Sequence, residues 1–356
     1  MTLYIIVAFI IILIFFASKN NKEVSPIDEL KSLNFVNKKH VDSNTGQIKK
    51  FTQQDLAIVS FQEYIDKVEA GDCHASYMIS NLYKTGNLDF IRKDNIFPKN
   101  STKALWWLLK AANEGDISAQ YELGVMYLYG RSYPQGIIRE HMYDIDFPES
   151  LVERNPKEAI KWLIKCSEHP DLDNLLIVFR YINYFIGEAF FLEKKYTNAY
   201  EYFLLHIDAT TKLKFNFDIY NSASRIIDMY LNGQGVDKDL IQAYKWCYIV
   251  DINPNTKGIK LSEIEIKKAL ALVFDFYKSY INKQIKNGSN YYNSALKLSD
   301  LYAYGIGVEK SLIEAYKWCY IVGADLYYKN SPDINISKND DKKARELADE
   351  WNIINH

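Results

Sequence analysis

The sequence predicts an all-α chain: a right-handed solenoid of helical hairpins preceded by one N-terminal transmembrane helix. Three observations predict it. The octapeptide Ala-Tyr-Lys-Trp-Cys-Tyr-Ile-Val occurs at 243–250 and again, unchanged, at 315–322, an offset of 72 residues. Upstream of each copy stands a matching turn, with Tyr230, Gly233, Gly235 and Val236 in one and Tyr302, Gly305, Gly307 and Val308 in the other. Leu3 to Ala17 is an uncharged, almost wholly apolar run. Self-similarity at a fixed period marks stacked repeats, each a supersecondary unit that cannot bury its apolar face alone.

The first element is the segment 3–18. Its fifteen-residue apolar run would make a helix of about 22 Å, short of the ~30 Å hydrocarbon core. Met1, Thr2 and Ser18 extend it enough to span, with Lys19 and Lys22 snorkelling at one end. A cleaved signal peptide is the alternative, but it needs a basic leading region and a small-x-small cleavage site, and neither stands out. The sequence therefore favours an uncleaved anchor. The basic flank (Lys19, Lys22, Lys31, Lys38, Lys39) argues for a cytoplasmic body. Short N-terminal anchors of exported proteins often break that rule, so both sides of the membrane stay open. Residues 19–50, rich in Asn, Lys and Ser, read as a polar tether.

Residues 55–351 carry the repeats, as hairpins near 75–115, 119–168, 174–206, 221–250, 261–286 and 295–323, closed by a capping helix at 338–354. In the first helix of a hairpin, Ala223, Ile226, Ile227 and Tyr230 share one face at helical period. The glycine three residues after the tyrosine suits the left-handed residue that ends a helix. The second helix starts from a capping residue four positions before its alanine: Asn100, Asn155, Asp239 and Ser311. Asn155 with Glu158, Asp239 with Gln242 and Ser311 with Glu314 have capping-box spacing. Ala243 with Trp246, and Ala315 with Trp318, then set a small residue and a large one on one face. Two further copies match in outline, one through Tyr127 and Gly130 to Ala159 and Trp162, the other through Tyr83 and Gly86 to Ala104 and Trp107. Stretch 174–206 lacks the glycine turn and the cap and reads as a degenerate hairpin.

Composition excludes several functions. The 356 residues are 48% hydrophobic and 25% charged, which is globular, and the formal charge of −2 leaves no positive footprint for nucleic acid. Cys73, Cys166, Cys247 and Cys319 lie too far apart for a C-x-x-C site. Cys247 and Cys319 are repeat equivalents and read as small packing residues. The six histidines form no i, i+4 pair, and no nucleophile elbow or phosphate loop is present. The Gly-x-Gly pieces at 233–235 and 305–307 follow a helix rather than a strand. No catalytic residue, metal ligand or cofactor is expected.

The repeat resembles the Sel-one-like repeat family, relatives of the tetratricopeptide repeats. Ala223 to Val250 and Ala295 to Gly323 match its pattern nearly throughout, and Lys110 to Asp116 match its tail; the resemblance covers about residues 55 to 350. It implies a protein-binding scaffold rather than an enzyme. In its most concrete form, that of membrane-tethered bacterial members, it implies an immunity protein that neutralises a secreted antibacterial effector. An inner-membrane assembly or signalling adaptor is the alternative, and a hydrolase of the type claimed for cysteine-rich relatives is disfavoured by the missing cysteine pairs. The expected partner is another protein, with the membrane reached through the N-terminal helix.

Insertions mark where that partner would dock, because in solenoids they cluster on one face. Between Gly130 and Asn155 stand 24 residues, against five between Gly233 and Asp239. That insertion carries Arg131, Tyr133, Arg139, His141, Tyr143, Asp144, Asp146 and Phe147, the aromatic, arginine and acidic types that form hot spots. A shorter one, with Phe90 and Arg92, lies between Gly86 and Asn100. An ordinary polar loop is the other reading of both.

Overall fold

The computed structural model describes residues 53–86, 99–130, 152–170, 181–211, 219–329, 331 and 333–355. Among them are thirteen α-helices, a short 3-10 turn at Pro254–Lys257 and no strand. The helices are α1 (Gln53–Glu69), α2 (Cys73–Thr85), α3 (Ser101–Glu114), α4 (Ile117–Tyr129), α5 (Pro156–Ser167), α6 (Ile182–Leu192) and α7 (Tyr196–Thr210). They continue with α8 (Tyr220–Asn232), α9 (Leu240–Ile249), α10 (Glu263–Lys286), α11 (Tyr292–Tyr304), α12 (Leu312–Ile321) and α13 (Lys338–Asn355). The expected anchor at 3–18 and tether at 19–50 lie outside the described residues. Among those described, no helix is long and apolar enough to cross a membrane. The described residues divide into two compact units, 53–123 and 124–355.

The second helix of each repeat begins where a side chain can satisfy orphan amides. Asn100 accepts from the Lys103 amide, Asn155 from Lys157 and Glu158, Asp239 from Ile241 and Gln242, and Ser311 from Glu314. The capping-box spacing is put to a different use. Each cap's own N–H donates to the carbonyl of the tyrosine in the preceding helix: Asn100 to Tyr83 (2.9 Å), Asn155 to Tyr127 (2.7 Å), Asp239 to Tyr230 (3.2 Å) and Ser311 to Tyr302 (3.0 Å). A glutamate or glutamine at the third helical position thus has no free N–H to accept from, and Glu158 and Glu314 pair with Lys161 and Lys317 instead. A complete capping box occurs at Ser262 and Glu265, at the start of α10.

This tyrosine-carbonyl clamp closes the neck of a hairpin whatever the loop length. Gly233 (φ 64°) and Gly305 (φ 68°) end α8 and α11 in the left-handed conformation. The second glycine of each turn serves a close approach. A Cβ on Gly235 would fall 2.4 Å from the Tyr196 carbonyl carbon at the start of α7, and one on Gly307 would fall 2.0 Å from the Leu270 carbonyl oxygen on α10.

Helix contact follows the small-and-large pattern. Ala104, Ala159, Ala199, Ala243 and Ala315 are fully buried. Opposite two of them, the hydroxyls of Ser80 and Ser299 donate to the Ala104 and Ala315 carbonyls, at 2.8 and 2.7 Å. Trp107, Trp162, Trp246 and Trp318 are all buried. In the two identical copies the indole meets the following helix edge-on, Trp246 against Phe276 of α10 and Trp318 against Trp351 of α13. Cys166, Cys247 and Cys319 are buried thiols outside any disulfide, and burial pushes both Cys247 and Cys319 up to about 11, as inert packing residues require.

In the first unit, Phe61 and Ile65 of α1 pack with Ile79, Leu82 and Tyr83 of α2 and Trp107 of α3. Lys84 pairs with Glu122 inside it. In the second, α6 and α7 form the degenerate hairpin, joined through Lys194 in the left-handed conformation and with no side-chain cap on α7. Arg225 of α8 grips Glu188 of α6 in a bidentate pair at 2.5 and 2.7 Å.

Candidate binding cleft

The insertion residues Arg131, Tyr133, Arg139, His141, Tyr143, Asp144, Asp146 and Phe147, and Phe90 and Arg92 of the shorter insertion, lie outside the described residues. Their necks do not. Tyr127 and Asn155, and Tyr83 and Asn100, hold the hairpin ends together at the points where the insertions leave and return. The repeat residues Tyr127, Gly130, Trp162, Tyr230, Gly233, Gly235, Ala243, Trp246, Tyr302, Gly305, Gly307, Ala315 and Trp318 all fall on helix interiors or turns of the hairpins, where they build the stack.

Within the second unit the helices leave a cleft of about 390 Å³. Its parts come from four elements: Ile219 and Tyr220 where α8 starts, Ile249 to Asp251 where α9 ends, Phe276, Tyr277 and Tyr280 midway along α10, and Asn293, Ser294 and Lys297 in the first turns of α11. The apolar wall is held rigidly. Phe276 stacks on Tyr280 with centroids 5.4 Å apart, the Tyr277 hydroxyl donates to the Ile249 carbonyl (3.3 Å), and the Tyr280 hydroxyl meets Thr210 Oγ1 at 2.5 Å. Burial raises the phenol pKa of both tyrosines, which keeps the wall neutral.

The rim carries charge. Lys297 Nζ lies 3.4 Å from both carboxylate oxygens of Asp251, a pair with side chains 47% and 76% exposed. Such a pair is weak and readily exchanged. Asp251 follows the end of α9 in the left-handed conformation (φ 53°), at the position where the next copy has Gly323 (φ 68°). Both sites close the helix with the same bond, Ile252 N–H to the Cys247 carbonyl and Ala324 N–H to the Cys319 carbonyl, each 2.8 Å.

The first turn of α11 faces this cleft without a side-chain cap. Asn290 Oδ1 satisfies the Tyr292 amide and the helix proper begins with the bond from Ala295 to Tyr291. The Asn293 and Ser294 amides between them have no partner among the described residues. The Ser294 hydroxyl likewise has none, although the residue is only 7% exposed. Among the described residues no group of three or more His, Cys, Asp or Glu is placed to hold a metal ion.

Sequence reasoning did not single out this cleft. The visible signal was the single difference between two otherwise matched helix ends, an aspartate where a glycine belongs. Among known proteins, five segments of the chain, residues 74–116, 117–139, 148–169, 219–248 and 293–321, match the Sel1 repeat. No curated protein matches the sequence significantly. Solved structures with a similar fold include two. One is c5321, a protective antigen present in uropathogenic Escherichia coli strains displaying an SLR fold, at 18% identity over 82% of this chain with a TM-score of 0.30. This chain spans 56% of that protein's length. The other is a Sel1 repeat protein from Oxalobacter formigenes, at 15% identity over 85% of this chain and 82% of that one, with a TM-score of 0.35.

Proposed function

Five segments of the chain match the Sel1 repeat, and from that likeness we propose that the chain is a non-catalytic scaffold that holds another protein at a bacterial membrane. One observation carries the reading. The repeated caps, glycines, alanines and indoles go into stacking hairpins, and a cleft between those helices joins a rigid aromatic wall to an exposed acid–base pair. That is a surface suited to recognition. The apolar run at 3–18 supplies the membrane tether, and the insertion residues 131–147 supply hot-spot chemistry at the neck of one hairpin.

The most concrete version is an immunity protein for a secreted antibacterial effector, and the second reading is an adaptor at the inner membrane. The test uses the full chain in detergent and any toxin found to be encoded beside its gene. Immunity predicts a stoichiometric complex by size exclusion and survival of cells that express the chain when challenged. An unprotected strain and separate elution of the two proteins would leave the adaptor. A reporter after His356 that is active only in the cytoplasm would sink periplasmic immunity.

A further inference from the structure

The cleft has two chemistries side by side, and their combination restricts what fits. At its polar edge, the Asn293 and Ser294 amides open the N-terminal end of α11, where the helix dipole is positive. Ser294 lines the same space; the residue is nine-tenths buried and its hydroxyl has no partner among the described residues. Lys297 stands one turn further along the same helix. Two amides, a hydroxyl and an ammonium make an anion site. Asp251 already sits on that ammonium from outside, at 3.4 Å, which shows that a carboxylate can reach it. The other wall is aliphatic and aromatic, and nothing on it is cationic.

Volume narrows the anion. Cofactor and drug clefts run to roughly 300–1,000 Å³, and about 390 Å³ is room for one or two amino-acid residues. A carboxylate and an apolar group must therefore lie within a residue of each other. A polypeptide C-terminus carries both on a single α-carbon, whereas an internal Asp or Glu must bring its apolar neighbour on a separate residue.

We propose that this cleft receives the C-terminal residue of a partner polypeptide. Its main-chain carboxylate lies on Lys297, the Ser294 hydroxyl and the α11 amides, and its apolar side chain lies against Ile249, Phe276 and Tyr280. The inference rests on the scaffold reading and deepens it by assigning the part of the partner that is read. Binding displaces Asp251 from Lys297, so Asp251 acts as an internal competitor that keeps non-specific carboxylates off.

The test uses the full chain in detergent and a heptapeptide library with randomised last three residues, made once as free acids and once as C-terminal amides. The expected result is binding of free acids that end in an apolar residue, at least tenfold weaker binding of the matching amides, and weakening as salt rises. Lys297→Gln lowers the affinity tenfold or more and Ser294→Ala a few-fold. Asp251→Asn tightens it, and because that is a gain it cannot come from misfolding. Equal binding of acids and amides, no binder in either library, or unchanged affinity in the well-folded Lys297→Gln protein overturns the proposal. The scaffold reading is tested separately: an effector complex that forms equally well with Lys297→Gln sinks only the cleft, while separate elution of effector and chain sinks the immunity version.

Discussion

His206 shows what a single buried side chain does here to the energetics of the second unit. It is 1% exposed, its Nδ1 lies 2.9 Å from Ser222 Oγ, and its ring stacks on Tyr181 with centroids 5.5 Å apart. No carboxylate faces it closely enough to favour the imidazolium, and burial pushes its pKa down to about 4. The unfolded chain takes up a proton near pH 6.5, and the folded chain does not until about pH 4. Stability from this group is therefore whole above pH 6.5 and falls as the pH drops toward 4, by up to about 3 kcal/mol. His74 acts in the opposite sense. The hydrogen bond that its Nδ1–H donates to the Asp116 carboxylate raises its pKa, so its contribution is present below pH 6.5 and lost as the pH rises. His206→Gln removes the first effect alone. Urea unfolding at pH 7.5 and 5.0 should show the parent losing about 2 kcal/mol more than the variant between the two; parallel losses would mean that His206 is not kept neutral. The repeat copies also differ by single residues. Lys317 has Glu314 one turn back, whereas Lys245 has Gln242 there, and burial beside Trp246 pushes Lys245 down to about 8.

At the scale of elements, the turn between the helices of a hairpin does two jobs with two glycines. The first ends a helix, which any left-handed C-cap can do, as Asp251 and Lys194 do elsewhere in the chain. The second lets the turn lie on the backbone of a neighbouring helix, which only the absence of a Cβ allows. Gly307→Ala would set a methyl group 2.0 Å from the Leu270 oxygen and 2.3 Å from its carbon, so α10 and the turn must part. Gly288 has a similar φ of 63° and nothing within 4 Å of its hypothetical Cβ. Gly288→Ala should cost about 1 kcal/mol of left-handed strain, and Gly307→Ala about 3 kcal/mol or more. Urea midpoints of the two variants decide it. Equal losses would show that conformation alone, and no close approach, selects the second glycine. The clamp from tyrosine carbonyl to cap amide belongs to the same scale, and it was illegible in the sequence because a backbone acceptor leaves no residue signature. The cap side chains were legible because only a few residue types can reach a first-turn amide.

At the scale of the whole chain, the sequence announced the hairpins that repeat; the stretch 261–286, expected as a further hairpin, is instead the single helix α10, and the cleft it lines escaped notice because it does not repeat. Trp246 and Ala243 recur 72 residues on as Trp318 and Ala315, whereas Phe276 and Tyr280 of α10 would recur as Ala348 and Asn352. Repetition reveals what stacking needs and hides what a single site needs. The same separation bears on the long insertion. If the neck is closed by the bond from Asn155 N–H to the Tyr127 carbonyl at 2.7 Å, the 24 residues between Gly130 and Asn155 are not required for the hairpin to form. Replacing residues 131–154 with the five-residue turn Gln-Gly-Val-Asp-Lys of positions 234–238 tests this. Loop closure grows easier by about 0.6 kcal/mol for each halving of length, so the shortened protein should match or exceed the parent in stability by about 1 kcal/mol. Its Tm and urea midpoint report that half of the argument, and its complex with the effector on size exclusion reports the other. A folded variant that no longer binds makes the insertion a docking element carried on an indifferent stack. A variant that unfolds would show that residues 131–154 belong to the core, and one that folds and still binds would move recognition away from that loop altogether.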